Sequence, residues 1–187
     1  MDMILLRHAA TEGNLARRYI GATDEPLCDA GRAAARELAA RIPFIPRRLY
    51  VSPLRRCAET ARVVFPDAPI VALDGLREAN FGSFEGRAYE ELRDATEYQR
   101  WLDSSGDIPP PGGDTVSEVR ARVLDAWETI RADCSGCQRI ALVVHGGTIM
   151  TLMQAHLTGD LFDWQVSNCG GFVVRVAGDA WTLVGGV

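Results

Sequence analysis

The chain has no lysine: all 20 of its basic residues are arginine. Together with abundant alanine, this reads as the mark of a GC-rich genome and not as a functional clue. Long apolar runs are missing too. No stretch approaches the roughly 20 residues of a membrane-spanning helix, and no secretory leader pattern opens the chain. The expected compartment is therefore the cytoplasm, with no membrane partner. Positive charge is in deficit, at a formal net −5. That argues against nucleic acid held on a broad basic surface, though not against a small basic pocket. Cysteine is sparse and odd in number, five in 187 residues, which suits no disulfide framework. Cys134-Ser135-Gly136-Cys137 is a lone CxxC without a second pair at zinc spacing. It reads as a turn between a helix and a strand that happens to carry two thiols. No carboxylates or histidines cluster at metal-ligand spacing, so neither metal nor cofactor is expected. With no repeat, low-complexity tract or linker, residues 1–187 are expected to form one domain.

What is present alternates between short apolar runs and amphipathic stretches. Met3–Leu6, Leu49–Val51, Ile70-Val71 and Ile140–Val144 read as strands, the last being the strongest. Helices are expected over Thr11–Arg18, over Asp29–Arg41 with Ala30, Ala34, Leu38 and Ile42 on one face, and from Ser52-Pro53 to Phe65. In that third helix Ser52 would cap the free N–H groups and Pro53 would take the first position. A polar helix over Ala88–Leu102, carrying Tyr89, Leu92, Tyr98 and Trp101, suits a lid or side wall. Thr115-Val116-Ser117-Glu118 has the capping-box pattern, followed by Val119, Val123, Trp127 and Ile130 at helical spacing. An apolar helix follows His145-Gly146-Gly147-Thr148, and Phe172–Val176 with Trp181–Val184 reads as a closing hairpin across Gly178-Asp179. Alternating strands and helices predict an α/β fold with a mostly parallel sheet.

Three strand-to-helix junctions carry cations or imidazoles: Arg7-His8, Arg55-Arg56 and His145. In parallel sheets ligands gather outside the carboxyl ends of the strands, and helix N-termini attract anions. Two histidines, arginines and a carboxylate meeting there suit phosphoryl chemistry without a metal.

The motifs in turn resemble a known family. Leu6-Arg7-His8-x-x-Thr11-x-x-Asn14 is similar to the RHGxTxxN signature of the histidine phosphatase superfamily, also called phosphoglycerate mutase-like. Ser52-x-Leu54-x-Arg56-x-x-x-Thr60-Ala61 resembles its second motif. Leu76-x-Glu78 with Phe81-Gly82-x-Phe84-Glu85-Gly86 resembles its proton-donor segment. Gly112-Gly113-Asp114-Thr115 and Val144-His145-Gly146-Gly147 complete the order. The resemblance spans residues 4 to 148 and implies a three-layer α/β/α sandwich. It also implies roles. His8 would attack phosphorus and become a phosphohistidine. Arg7, Arg56 and His145 would hold the phosphoryl oxygens, His145 most usefully when protonated, and Asn14 would add a neutral hydrogen bond. Glu78 would protonate the leaving alkoxide and then activate water, in a pocket partly closed by Phe81 and Phe84. Gly146 and Thr23 are further candidates for substrate contact. Ala9 stands where the family usually has glycine, and its methyl would narrow the pocket or restrict the backbone.

Residues near these motifs have plainer readings. Arg55 is expected to be solvated, His156 structural, and Trp101, Trp127 and Trp164 core or wall. Cys57 is explained by its size, and Thr11 by the shape of its turn.

The mutases of the family follow the donor glutamate with an Arg-His-Tyr-Gly type sequence, where this chain has Ala79-Asn80-Phe81-Gly82. Water is then the expected acceptor, making a phosphatase of a small phosphorylated metabolite. The compact length and the Glu-x-x-Phe-Gly-x-Phe-Glu-Gly segment most resemble the branch acting on α-ribazole 5′-phosphate, late in cobalamin assembly. The alternatives are a phosphoglycerate mutase and a phospho-ligand binding module without catalysis. Oligomeric state is not legible.

Overall fold

The computed structural model describes residues 1–187. Six strands form one sheet: β1 (Asp2–Arg7), β2 (Arg48–Val51), β3 (Ile70–Ala72), β4 (Arg139–Val144), β5 (Gly171–Ala177) and β6 (Ala180–Gly186). Their order is β3-β2-β4-β1-β5-β6. The first four run parallel, while β5 and β6 are antiparallel, β5 against β1 and β6 against β5 as a hairpin. The expected mostly parallel sheet and closing hairpin are both present.

Alternation along the central strands decides the layers. Ile4, Leu6, Leu49, Val51, Ala141 and Val143 face α2 (Asp29–Ala39) and α3 (Arg55–Val64), which contribute Ala35, Leu38, Cys57 and Ala61. Met3, Leu5, Tyr50, Leu142 and Val144 face α6 (Val116–Asp133) and α7 (Gly146–His156), which contribute Val123, Trp127, Ile149 and Leu152. Strands covered on both faces need apolar residues at every position, which is why β1 and β4 read as unbroken apolar runs. The result is the α/β/α sandwich. A smaller cluster of Phe84, Leu92 and Tyr98 lies apart from both layers. No helix is long and apolar enough to cross a membrane.

Several local expectations give way to tertiary contacts. The first helix is a single turn, α1 (Glu12–Leu15), with Thr11 as its cap. The buried stripe of α2 is Gly31, Ala35 and Leu38, one step from the expected alanines. A Cβ on Gly31 would lie 2.1 Å from the Ala10 carbonyl, so only glycine lets α2 pack against that turn. The Ala88–Leu102 stretch splits into α4 (Tyr89–Leu92) and α5 (Thr96–Asp103), with Ala95 extended between them. That break buries both Leu92 and Tyr98 against Phe84. The Thr115 capping box forms, and the CxxC is the turn between α6 and β4, closed by Cys137 N–H to the Cys134 carbonyl at 2.9 Å.

Ser52 does not cap α3. Its own N–H still belongs to the sheet, donating to the Val143 carbonyl at 3.2 Å. The helix begins at Arg55 with Leu54 in the cap position. The cap comes from a distant segment instead: Asp24 Oδ1 accepts the Arg55 N–H at 2.7 Å. The Ser52 hydroxyl is thereby left for the site.

Candidate active site

The carboxyl ends of β1, β2 and β4 deliver their next residues to one place. β1 ends in Arg7 and leads to His8, β4 leads to His145, and β2 leads through Ser52 to Arg56 in the first turn of α3. His8, Arg56 and His145 are all buried. The two imidazole rings stand 5.2 Å apart.

Hydrogen bonds set the protonation of both rings. His8 Nδ1 lies 2.8 Å from the Ala9 carbonyl, which can only accept, so Nδ1 carries the proton. Nε2 is then a bare lone pair, and Arg56 Nε–H donates toward it at 3.3 Å. Burial first, and then the positive charge of Arg56, depress the His8 pKa to about 3 despite the Ala9 bond, so the ring is neutral at physiological pH. His145 is the mirror case. Its Nδ1 faces Arg56 Nη2 at 3.3 Å and must accept, while its Nε2–H donates to Ser52 Oγ at 2.7 Å. Burial, then His8 and the arginines, hold its pKa well below the ordinary histidine value. Before any anion binds, these hydrogen bonds fit neutral rings, and His145 can donate from Nδ1 only once a proton arrives.

Arg56 is a buried cation with no carboxylate partner. Carbonyl dipoles surround it instead: Nη1 donates to Thr23 O at 2.7 Å, and Nη2 to Gly21 O at 2.8 Å and Ile20 O at 3.4 Å. Arg7 Nη1 donates to the Val166 carbonyl at 2.7 Å, while its buried Nε has no partner. Desolvation lowers the Arg7 pKa, partly countered by the charge of Glu78. Two guanidiniums beside neutral imidazoles make a concentrated positive site in a chain of negative net charge.

Glu78 reaches this site from the Leu76–Asn80 segment. Its Oε1 accepts the Ala79 N–H at 3.0 Å and its Oε2 the Gly147 N–H at 3.2 Å, at the start of α7. A Cβ on Gly147 would sit 2.5 Å from Glu78 Oε1, so glycine is what admits the carboxylate. Gly146, as the first residue of α7, has an N–H without an intrahelical partner, and a Cβ there would lie 3.7 Å from the Arg7 guanidinium. Asn14 accepts from Thr11 N–H and Asn168 Nδ2 through Oδ1, which leaves its own amide donors available. Thr23 lies in the loop beside Arg56. Its hydroxyl is already given to Glu85 at 2.6 Å, so it joins the site through its carbonyl and not as a free hydroxyl donor.

Phe81 and Phe84 pack together with other rings. They belong to an aromatic wall with Tyr19, Tyr98 and Trp101, and Phe84 is buried within it. Ala9 neither strains the backbone, since it is absent from the left-handed residues, nor crowds the pocket. Its methyl belongs to the apolar cluster of Leu6, Leu27 and Cys57, and its N–H donates to Thr60 Oγ1 at 2.9 Å. Arg55 is exposed, and His156 stacks on Trp181 at 4.3 Å, away from the site.

Sequence reasoning missed three supports. Ser52 was assigned to a cap, although its place in the second motif was a signal. Asn168 donates to the His8 carbonyl at 3.0 Å from a loop without any motif. Arg122 donates to the Glu78 carbonyl at 3.0 Å from within α6, outside any motif. No three His, Cys, Asp or Glu side chains converge as a metal ligand set. An open concavity with Arg47, Arg48 and Arg139 in its rim lies at the other end of the sheet, remote from this chemistry.

A neutral imidazole with an unprotonated Nε2, flanked by guanidiniums and faced by a carboxylate, can take up a phosphoryl group and pass it on. The chain is also similar to known proteins. Residues 3–186 match the histidine phosphatase superfamily, branch 1. The adenosylcobalamin/alpha-ribazole phosphatase of Salmonella typhimurium is 32% identical over 84% of this chain and 80% of its own. The metal-independent phosphoserine phosphatase of Arabidopsis thaliana is 26% identical over 97% and 79%. The 2,3-bisphosphoglycerate-dependent phosphoglycerate mutase 2 of Gloeobacter violaceus is 28% identical over 81% and 73%. The crystal structure of the alpha-ribazole phosphatase of Shigella flexneri has the same fold, with a TM-score of 0.89 at 24% identity over 99% of this chain and 95% of that one. Site geometry, fold and sequence therefore converge, and the chain belongs to branch 1 of the histidine phosphatase superfamily, as a phosphatase.

Proposed function

We propose that this phosphatase hydrolyses the phosphomonoester of a small metabolite through a phosphohistidine on His8. The observation that carries the reading is the tautomer of His8: its proton is tied to the Ala9 carbonyl, which leaves Nε2 a lone pair held against Arg56. In the first step Nε2 forms a bond to phosphorus as the ester P–O bond breaks. The leaving alkoxide takes a proton from Glu78, which enters this step as the carboxylic acid and is returned to that form by the second step. In the second step water attacks phosphorus, its proton passes to the Glu78 carboxylate, and the N–P bond breaks to release inorganic phosphate and restore His8.

Arg7 and Arg56 neutralise the non-bridging oxygens throughout, and the Gly146 N–H and Asn14 amide are placed to add neutral donors. His145 Nδ1 can donate to the phosphoryl group only after gaining a proton, which a substrate bound as its monoanion brings with it. Ser52, as acceptor at Nε2, keeps the ring turned so that Nδ1 faces inward.

For substrate we propose α-ribazole 5′-phosphate. The similarity to the Salmonella enzyme and the Glu78-x-x-Phe81-Gly82-x-Phe84-Glu85-Gly86 segment favour it. Phosphoserine and sugar phosphates are the competitors. Phosphoglycerate mutase activity is the second reading, favoured by the mutase relatives.

The test is trapping of labelled phosphate. Wild type should form an acid-labile adduct and release phosphate, and His8→Ala should do neither while remaining folded. Turnover of His8→Ala near the wild-type rate would refute the assignment. Isomer exchange in a phosphoglycerate pair without phosphate release would favour the mutase. A screen over α-ribazole phosphate, phosphoserine and sugar phosphates would rank the substrates by kcat/KM.

A further inference from the structure

Glu85 makes no contact with His8, Arg7, Arg56 or His145, and the chemistry above gives it no role. Its carboxylate is nevertheless densely engaged. It accepts the N–H of Gly21 at 3.1 Å to each oxygen, Ala22 at 2.9 Å, Thr23 at 3.2 Å and Phe81 at 2.9 Å, and the Thr23 hydroxyl at 2.6 Å. The N–H edge of the 21–23 loop is thus wrapped around one anion. The carbonyl edge of the same loop, with Ile20, is what Arg56 binds. The loop is held between a carboxylate on one side and the buried guanidinium on the other.

We propose that Glu85 is a positioning residue: by gripping the N–H edge of the 21–23 loop it aims the loop's carbonyls at Arg56 and so sets the guanidinium against His8. The inference rests on the phosphatase reading only in taking Arg56 as a phosphate ligand. Arg56 is fully buried, and only dipoles, not an opposite charge, compensate it. Its orientation therefore depends on where the carbonyls point, and those carbonyls belong to a short loop with no regular secondary structure of its own.

Three features fit this role better than a general stabilising one. Only an ionised carboxylate offers acceptors alone to this set of donors, whereas an amide would point N–H groups at N–H groups. A Cβ on Gly21 would lie 1.9 Å from the Ala79 carbonyl and 2.6 Å from Glu85 Oε1, so glycine is what allows the loop to close on the carboxylate. Glu85 is itself anchored: the Tyr19 N–H donates to the Arg87 carbonyl at 3.0 Å and the Gly86 N–H to the Tyr19 carbonyl at 2.8 Å, joining the two segments. Burial pushes the Glu85 carboxyl up, but the Thr23 hydroxyl and the N–H groups of Phe81, Ala22 and Gly21 more than reverse this and hold it below the usual range.

The test is a double-mutant cycle on Glu85→Gln and Arg56→Lys, since lysine cannot bind the loop and His8 together. Inorganic phosphate affinity by calorimetry is one readout and kcat/KM on nitrophenyl phosphate is the other. Glu85→Gln alone should weaken phosphate binding by about tenfold, the scale of a lost set of charge-assisted hydrogen bonds. In the Arg56→Lys background the same change should cost about twofold or less. Losses that multiply, or wild-type affinity in Glu85→Gln, would overturn the proposal. If Glu85→Gln does not fold, Thr23→Val removes the 2.6 Å bond alone and enters the same cycle with a smaller expected loss. Calorimetry needs no turnover. An inactive wild type whose phosphate affinity still shows the coupling would refute the phosphatase reading and leave this one standing.

Discussion

His8 gives the most direct quantitative test of the site, because its burial ties activity to the pH dependence of folding. The folded protein holds its pKa near 3, against 6.5 for an ordinary histidine, first through desolvation and then through Arg56. The sign follows from linkage. Above about pH 6.5 the ring is neutral in both states and costs nothing. As pH falls toward 3 the unfolded chain takes up a proton that the folded chain refuses, so stability is lost across that window. Each decade of proton activity is worth about 1.4 kcal/mol, so at about pH 4.5 the penalty is roughly 2.7 kcal/mol. His8→Gln cannot titrate and should be spared it. Urea unfolding of both proteins at about pH 7 and about pH 4.5 supplies the comparison. His145 is depressed first by burial, which His8→Gln leaves in place, and then by the charge of His8, which is absent while that ring is neutral; the carboxylates are common to both proteins. Wild type should lose roughly 2–3 kcal/mol more than the variant on acidification. Equal losses would mean that His8 is not held neutral by its surroundings, and the nucleophile argument would lose its electrostatic basis.

Ser52→Ala removes the acceptor of a buried N–H on His145. It should cost about 1–3 kcal/mol in urea unfolding and lower kcat more than it raises KM; an unchanged kcat would remove Ser52 from the site. Glu78→Gln should slow hydrolysis of alkyl phosphates far more than that of nitrophenyl phosphate, whose leaving group needs no proton. Equal slowing of both would point away from proton donation. Activity should persist after exhaustive chelation, and loss that a divalent metal restores would contradict the scheme.

Some misreadings are instructive. Ser52-Pro53 has the residues of a helix start, and local propensity favours that reading. The sheet ladder claims the Ser52 N–H, and Asp24 supplies the cap that Ser52 does not. In Ala88–Leu102 the helical pattern was genuine, but packing of Leu92 and Tyr98 on Phe84 required a break at Ala95. Ala9 looked like an intrusion beside the nucleophile because only its position in the motif was visible. The direction of its methyl, into the core, is a matter of backbone geometry.

Residue order alone determined the α/β class, the three strand-to-helix junctions and the residue types gathered there. Apolar runs and motifs are local features and need no knowledge of distant partners. The protonation states and supports of the site are another matter. The proton on His8 follows from the direction of the Ala9 carbonyl, and that on His145 from Ser52, 93 residues away in the chain. The clamp of Glu85 and Arg56 on the two edges of the 21–23 loop joins segments no local pattern connects. A hydrogen bond is worth most where water is excluded, and which groups share a dry interior is decided only when the layers pack.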